Sequence, residues 1–122
     1  MIKPEKTFCD LEFRKLDDLK DADVAIISSG HGTPYEPGKS SHAANAPAAI
    51  RAALSWYSSN PEQLDLDTMS PVFGGKMAVD CGDIGGSKRD GAANREKIKQ
   101  ATIDILSAGS MPVLLGGDDS TP

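Results

Sequence analysis

Residues Leu114–Pro122 read LLGGDDSTP, and this stretch decides the fold. An apolar run, Met111 to Leu115, ends in two glycines, two aspartates and a serine. A buried parallel strand delivers acidic side chains in this way to the C-terminal edge of a sheet, where open α/β folds place their sites. The glycines let the backbone turn sharply after the strand. Two neighbouring carboxylates at such an edge suit a hard or borderline divalent cation. The same residues also serve as a turn or a helix N-cap, so the motif alone leaves both roles open.

Working outward, two more β-branched or apolar runs read as strands. Asp23–Ser28 (DVAIIS) is bounded by charge before and by Gly30 after. Met77–Ile84 (MAVDCGDI) precedes a Gly85-Gly86-Ser87 turn. Helices are expected between them. Asn45 and Pro47 supply a cap and a first-turn residue, Ile50, Ala53, Leu54 and Tyr57 fall on one apolar face, and Asn60-Pro61 ends the helix. Asp90 caps a second helix running to about Ala108, with Ile98, Ala101, Ile105 and Ala108 on one face and Gly109 after it. Strand, helix, strand, helix, strand predicts a parallel sheet with right-handed crossovers. Residues 1–22 read as a charged arm or irregular lead-in, with a short helix over LEFRKLDDLK. Residues 29–46 and 61–75 read as loops, and a loop as long as the first is usually functional or mobile.

The bulk properties set limits. The 122 residues suffice for one modest domain. A net charge of −5, with no basic stripe, argues against a nucleic-acid partner. No apolar run approaches the roughly 20 residues of a membrane span. The opening MIKPEKTFCD lacks a signal peptide's apolar core, and Cys9 and Cys81 have no metal or redox spacing. A cytoplasmic protein with two reduced thiols is the resulting expectation.

Other constellations carry weaker chemistry. Asp80 and Asp83 end the second strand and would face one crevice of a parallel sheet. Gly85-Gly86-Ser87, with Lys88 and Arg89, offers a phosphate cradle at a helix N-terminus, yet matches neither the P-loop nor the dinucleotide fingerprint. His31 follows the first strand, in a position to contact a substrate, and Glu36 could pair with a cation.

Four segments in register carry a family resemblance: Gly32-Thr33-Pro34-Tyr35-Glu36-Pro37-Gly38, Ala46-Pro47-Ala48-Ala49-Ile50-Arg51, Asp80-Cys81-Gly82-Asp83, and Pro112 through Ser120. Together they resemble the ureohydrolases of the arginase/agmatinase family, most closely the agmatinase branch, from about Val24 to Pro122. The resemblance implies a three-layer α/β sandwich around a mainly parallel sheet. It implies hydrolysis of a guanidino group with release of urea, on a pair of Mn2+ ions bridged by hydroxide, and a homo-oligomer, trimer or hexamer. Carried onto this chain, Asp119 becomes a metal ligand and Asp118 its supporting neighbour. His31, Tyr35 and Glu36 lie on the loop bordering the substrate entrance. An acidic site suits a small cationic guanidino substrate.

Two departures accompany the resemblance. Asp119 stands where the family's Gly-Gly-Asp-His-Ser motif carries histidine. The family's two later acidic motifs do not occur in these 122 residues. The expectation is therefore the N-terminal portion of a single ureohydrolase domain, inactive alone and prone to associate through an unpaired sheet edge. A binding or regulatory relative without the metal centre is the alternative, and a small nucleotide binder is a third reading.

Overall fold

The computed structural model describes residues 1–57 and 63–121. Its elements are a short 3-10 turn at Phe8–Asp10, β1 (Val24–Ser28), α1 (Ala46–Tyr57), β2 (Leu64–Asp65), β3 (Ser70–Pro71), β4 (Ala78–Asp83), α2 (Gly91–Ser107) and β5 (Met111–Leu115). The three long strands form a parallel sheet in the order β4-β1-β5, so the connection through α2 passes across β1. This is the mixed α/β architecture with a parallel sheet that the alternation of strands and helices predicts. The expected loop over 61–75 contains a small antiparallel hairpin, Leu64–Asp65 against Ser70–Pro71. The helix end expected at Asn60-Pro61 lies outside the described residues.

Strand alternation sends successive side chains to opposite faces, and both faces are covered. On one, Ala25, Ile27, Val79 and Cys81 pack against Ile98, Ala101 and Ile105 of α2. On the other, Ile26, Ala78 and Leu115 meet Leu11, with Phe8 and Phe73 alongside. Helix α2 follows its predicted signals. The Asp90 side chain accepts from the Ala93 amide at 2.9 Å, and Gly109 takes a left-handed φ of +84° after the last turn. Ala108, expected on the buried face, is exposed beyond that turn.

Helix α1 departs from its predicted face. Ile50 is 37% exposed and Ala53 is exposed, whereas Pro47 and Arg51 are buried. A charge network explains the inversion. Arg51 is 1% exposed and forks across both oxygens of Asp80, at 2.8 and 2.9 Å. Its Nη1 reaches Asp83 at 2.8 Å and the Ser28 hydroxyl at 3.1 Å. Asp80 is fully buried and also accepts from the amides of Phe8 and Gly82, both at 2.8 Å. Burial opposes the charge on Arg51, but the two aspartates outweigh it and hold the guanidinium protonated.

A bulge lets two aspartates three residues apart reach one guanidinium. Ile26 pairs with Asp80, but Ile27 pairs with Gly82 and Ser28 with Asp83. The extra residue re-aims the strand, so Asp80 and Asp83 share a face. Gly82 is required there: its φ is +81°, and a Cβ would sit 2.2 Å from the Ile2 carbonyl oxygen.

Residues 1–22 are irregular, and the helix expected over LEFRKLDDLK does not form. The segment is instead fastened along the outer edge of β4. Ile2 and Asp83 exchange two 2.8 Å amide–carbonyl bonds, the Asp80 amide donates to Glu12 at 2.9 Å, and the Arg14 amide donates to Asp80 at 3.1 Å. Leu11 and Leu19 are buried by this course in the two clusters on opposite faces of the sheet, a division that one helix face could not make. On the opposite side, β5 has no strand partner beyond β1 among the described residues. Cys9 and Cys81 are both free and buried, and burial, helped by Asp80, pushes the Cys81 thiol up to about 11. Among the described residues no helix is long and apolar enough to cross a membrane.

Candidate functional site at the C-terminal edge of the sheet

The ends of β1 and β5 lie side by side, with Ser28 paired to Leu115. The chain leaves each through a glycine-rich turn, and the two turns pack tightly. A Cβ on Gly117 would stand 2.6 Å from the Gly30 carbonyl oxygen. This contact brings the Gly116–Ser120 turn against the loop that follows β1. The Thr33 amide donates to the Ser120 hydroxyl at 2.6 Å, and Arg95 of α2 donates to the Thr33 hydroxyl at 2.6 Å.

Asp118 and Asp119 play different parts in this turn. Asp118 is buried, at 7% exposure. Its Oδ1 accepts from the Ser120 amide at 3.1 Å and from the Ser120 hydroxyl. Its Oδ2 is buried and accepts no hydrogen bond. Desolvation works against the ionised form, but the Ser120 bonds, the nearby Ser41 hydroxyl and the charge of His42 outweigh it and lower the pKa below the ordinary aspartate value. Asp119 is exposed, and its Oδ1 accepts from the Tyr35 hydroxyl. That bond, with lesser contributions from desolvation and the charges of both aspartates, raises the Tyr35 pKa and keeps the phenol a donor.

The lowered pKa of Asp118 has a definite sign. A carboxyl whose folded pKa lies below its unfolded one adds stability that is fully present above the unfolded value of about 3.9, and that is lost as pH falls through the folded value. Acidification from about pH 5 should therefore loosen the Gly116–Ser120 turn. Faster hydrogen exchange at the Ser120 and Thr33 amides in acid, after correction for intrinsic rates, and abolished by Asp118→Asn, is the expected reading.

The other candidates separate. Tyr35 reaches the acidic turn. Glu36 does not; it pairs with Lys39, and both are exposed. His31 is half-buried, its ring beside Gly86, with Nε2 buried and unpartnered. Asp80 and Asp83 share a site, as their spacing suggests, but Arg51 occupies it. The Gly85–Ser87 turn is a joint: the Ser87 amide donates to the Asn94 side chain at 2.6 Å, and Asn94 donates in turn to the carbonyls of Ser87 and Gly32. No sequence motif singles out His42. It stacks on Tyr35, with ring centroids 6.2 Å apart and planes at 28°, and Tyr35, Glu36 and His42 line a cavity of about 210 Å³. No local pattern signals that pairing, because a turn 84 residues away from Tyr35 organises the loop.

A parallel α/β sheet with paired carboxylates at its C-terminal edge defines a class of protein whose site lies at the strand ends. Residues 22–122 match the arginase family, and the chain belongs to that family. Its members are metal-dependent hydrolases of guanidino compounds that generally use Mn2+.

The donor chemistry of the turn fits such an ion. Hard carboxylate oxygens suit Mn2+, and Asp118 Oδ2 is a buried, ionised acceptor without a partner. The turn does not enclose an ion unaided: among the described residues no group of three His, Cys, Asp or Glu side chains could hold a metal.

Proposed function

We propose that this chain belongs to a manganese-dependent ureohydrolase that releases urea from a small, agmatine-like guanidino compound, in the cytoplasm and as a homo-oligomer. The observation that supports this most directly is the placing of Asp118 and Asp119 at the end of β5 in a chain matched to the arginase family. In this reading Asp119 ligates one of two ions and Asp118 supports it. Bound manganese supplies Lewis acidity and an acidified water as nucleophile.

The remaining work belongs to side chains. The adjacent carboxylates create negative potential at the strand ends, which concentrates a guanidinium cation there. The loop carrying His31, Tyr35 and Glu36 borders the entrance, and the cavity beside Tyr35 and His42 opens next to the acidic turn. Tight packing of the two glycine turns fixes the backbone that carries the carboxylates, so their placement is set before substrate arrives.

Urea release from agmatine and related guanidino compounds by the manganese-loaded protein tests the proposal. Asp119→Asn keeps the shape and removes the charge. It should lower both bound manganese and urea release by about a hundredfold or more, since losing a ligand costs at least as much as the roughly ten- to hundredfold lost when only its support is disturbed. Undiminished metal content and turnover in Asp119→Asn would refute the ligand assignment. Absence of both manganese binding and urea release would favour the binding or regulatory relative without the metal centre, a reading to which an aspartate at position 119 lends some support.

A further inference from the structure

We infer that Tyr35 is a positioning residue for Asp119: by donating to Oδ1 it leaves Oδ2 as the single oxygen that Asp119 presents to a divalent cation. The inference rests on the manganese reading above and deepens it.

Both aspartates of the turn show the same division. Asp118 has Oδ1 taken by the Ser120 amide and hydroxyl, while Oδ2 has no partner. Asp119 has Oδ1 taken by Tyr35, and among the described residues no hydrogen bond is made to Oδ2. An untethered carboxylate can bind through either oxygen, through both, or rotate between these modes. A donor on one oxygen restrains that rotation and makes the other oxygen, with both lone pairs open, the better-placed ligand. Donors behind a ligating group orient it and tune its affinity for the ion.

Tyr35 is itself held for this task. Its ring lies against His42. Its loop is pinned on one side by the Thr33–Ser120 bond and on the other by the Gly38 amide, which donates to the Lys88 carbonyl at 2.9 Å. The phenol therefore approaches Asp119 from a braced loop, although Tyr35 is 64% exposed. Little apolar burial depends on its hydroxyl, so removing that group should leave the fold intact.

The test is an Mn2+ titration, followed by electron paramagnetic resonance of free Mn2+, on four full-length proteins: wild type, Tyr35→Phe, Asp119→Asn and the double variant. Tyr35→Phe should weaken binding about tenfold or more, with an unchanged thermal midpoint. In the Asp119→Asn background the same change should have no effect, since the group it acts through is gone. Unchanged affinity in Tyr35→Phe, or an equal loss in both backgrounds, would overturn the role of Tyr35 while leaving the manganese reading intact. No Mn2+ binding by the wild type would overturn both.

Discussion

Arg51→Met is expected to destabilise the protein by about 3–5 kcal/mol, the usual cost of stranding one partner of a buried ion pair. Methionine keeps most of the stem's apolar volume, so packing loss is minor. The cost arises at Asp80, which is fully buried and would lose both of its bonds to the guanidinium. Asp83 is 36% exposed and can turn to water. Since domains are stable by only about 5–15 kcal/mol, the urea midpoint should fall sharply. Removing Asp80 as well should not restore stability, because the amides of Phe8 and Gly82 would lose their acceptor. A midpoint for Arg51→Met close to wild type would show that water solvates Asp80, contrary to its burial.

Deletion of residues 1–14 should be nearly as damaging. It removes Leu11 and Cys9 from burial and half-buried Phe8 from the face beneath α1. A fully buried apolar side chain of leucine or phenylalanine size is worth about 1.5–3 kcal/mol. It also strips β4 of the Ile2, Glu12 and Arg14 backbone bonds and Asp80 of the Phe8 amide. The shortened chain should lose its cooperative thermal transition and aggregate, since bare strand edges template association. A sharp, reversible melt near the wild-type temperature would refute this. The deleted segment lies wholly outside the 22–122 family match, so sequence likeness alone would mark it as dispensable.

The elements readable in the sequence are those whose signals are local. Strand β5 shows as an apolar run cut off by Gly116-Gly117, and α2 as a cap, a 3.6-residue stripe and a terminal glycine. What escaped depends on partners distant in the chain. Arg51 looks like a solvated cation beside an apolar Ile50, because its burial is set by two carboxylates about thirty residues on. Their convergence needs the bulge at Gly82, which alternation alone does not reveal. Leu11 and Leu19 suggest a helix, but the β4 edge offers unpaired backbone groups that an extended segment can satisfy and a helix cannot. At the site, the acidic turn was legible as chemistry. Its division of labour, with Asp118 held inside by Ser120 and Asp119 outside by Tyr35, was not, since the partner loop is fixed only by the packing of Gly117 on Gly30.

With β4 sealed by its own leading segment, the sheet is a zipper that can be extended from one side only. Any strand that joins it, from this or another molecule, must lie beside β5. One end of the newcomer then arrives next to Asp118 and Asp119, which stand at the tip of that border strand. Widening the sheet and bringing fresh side chains to the acidic turn are thus a single structural event.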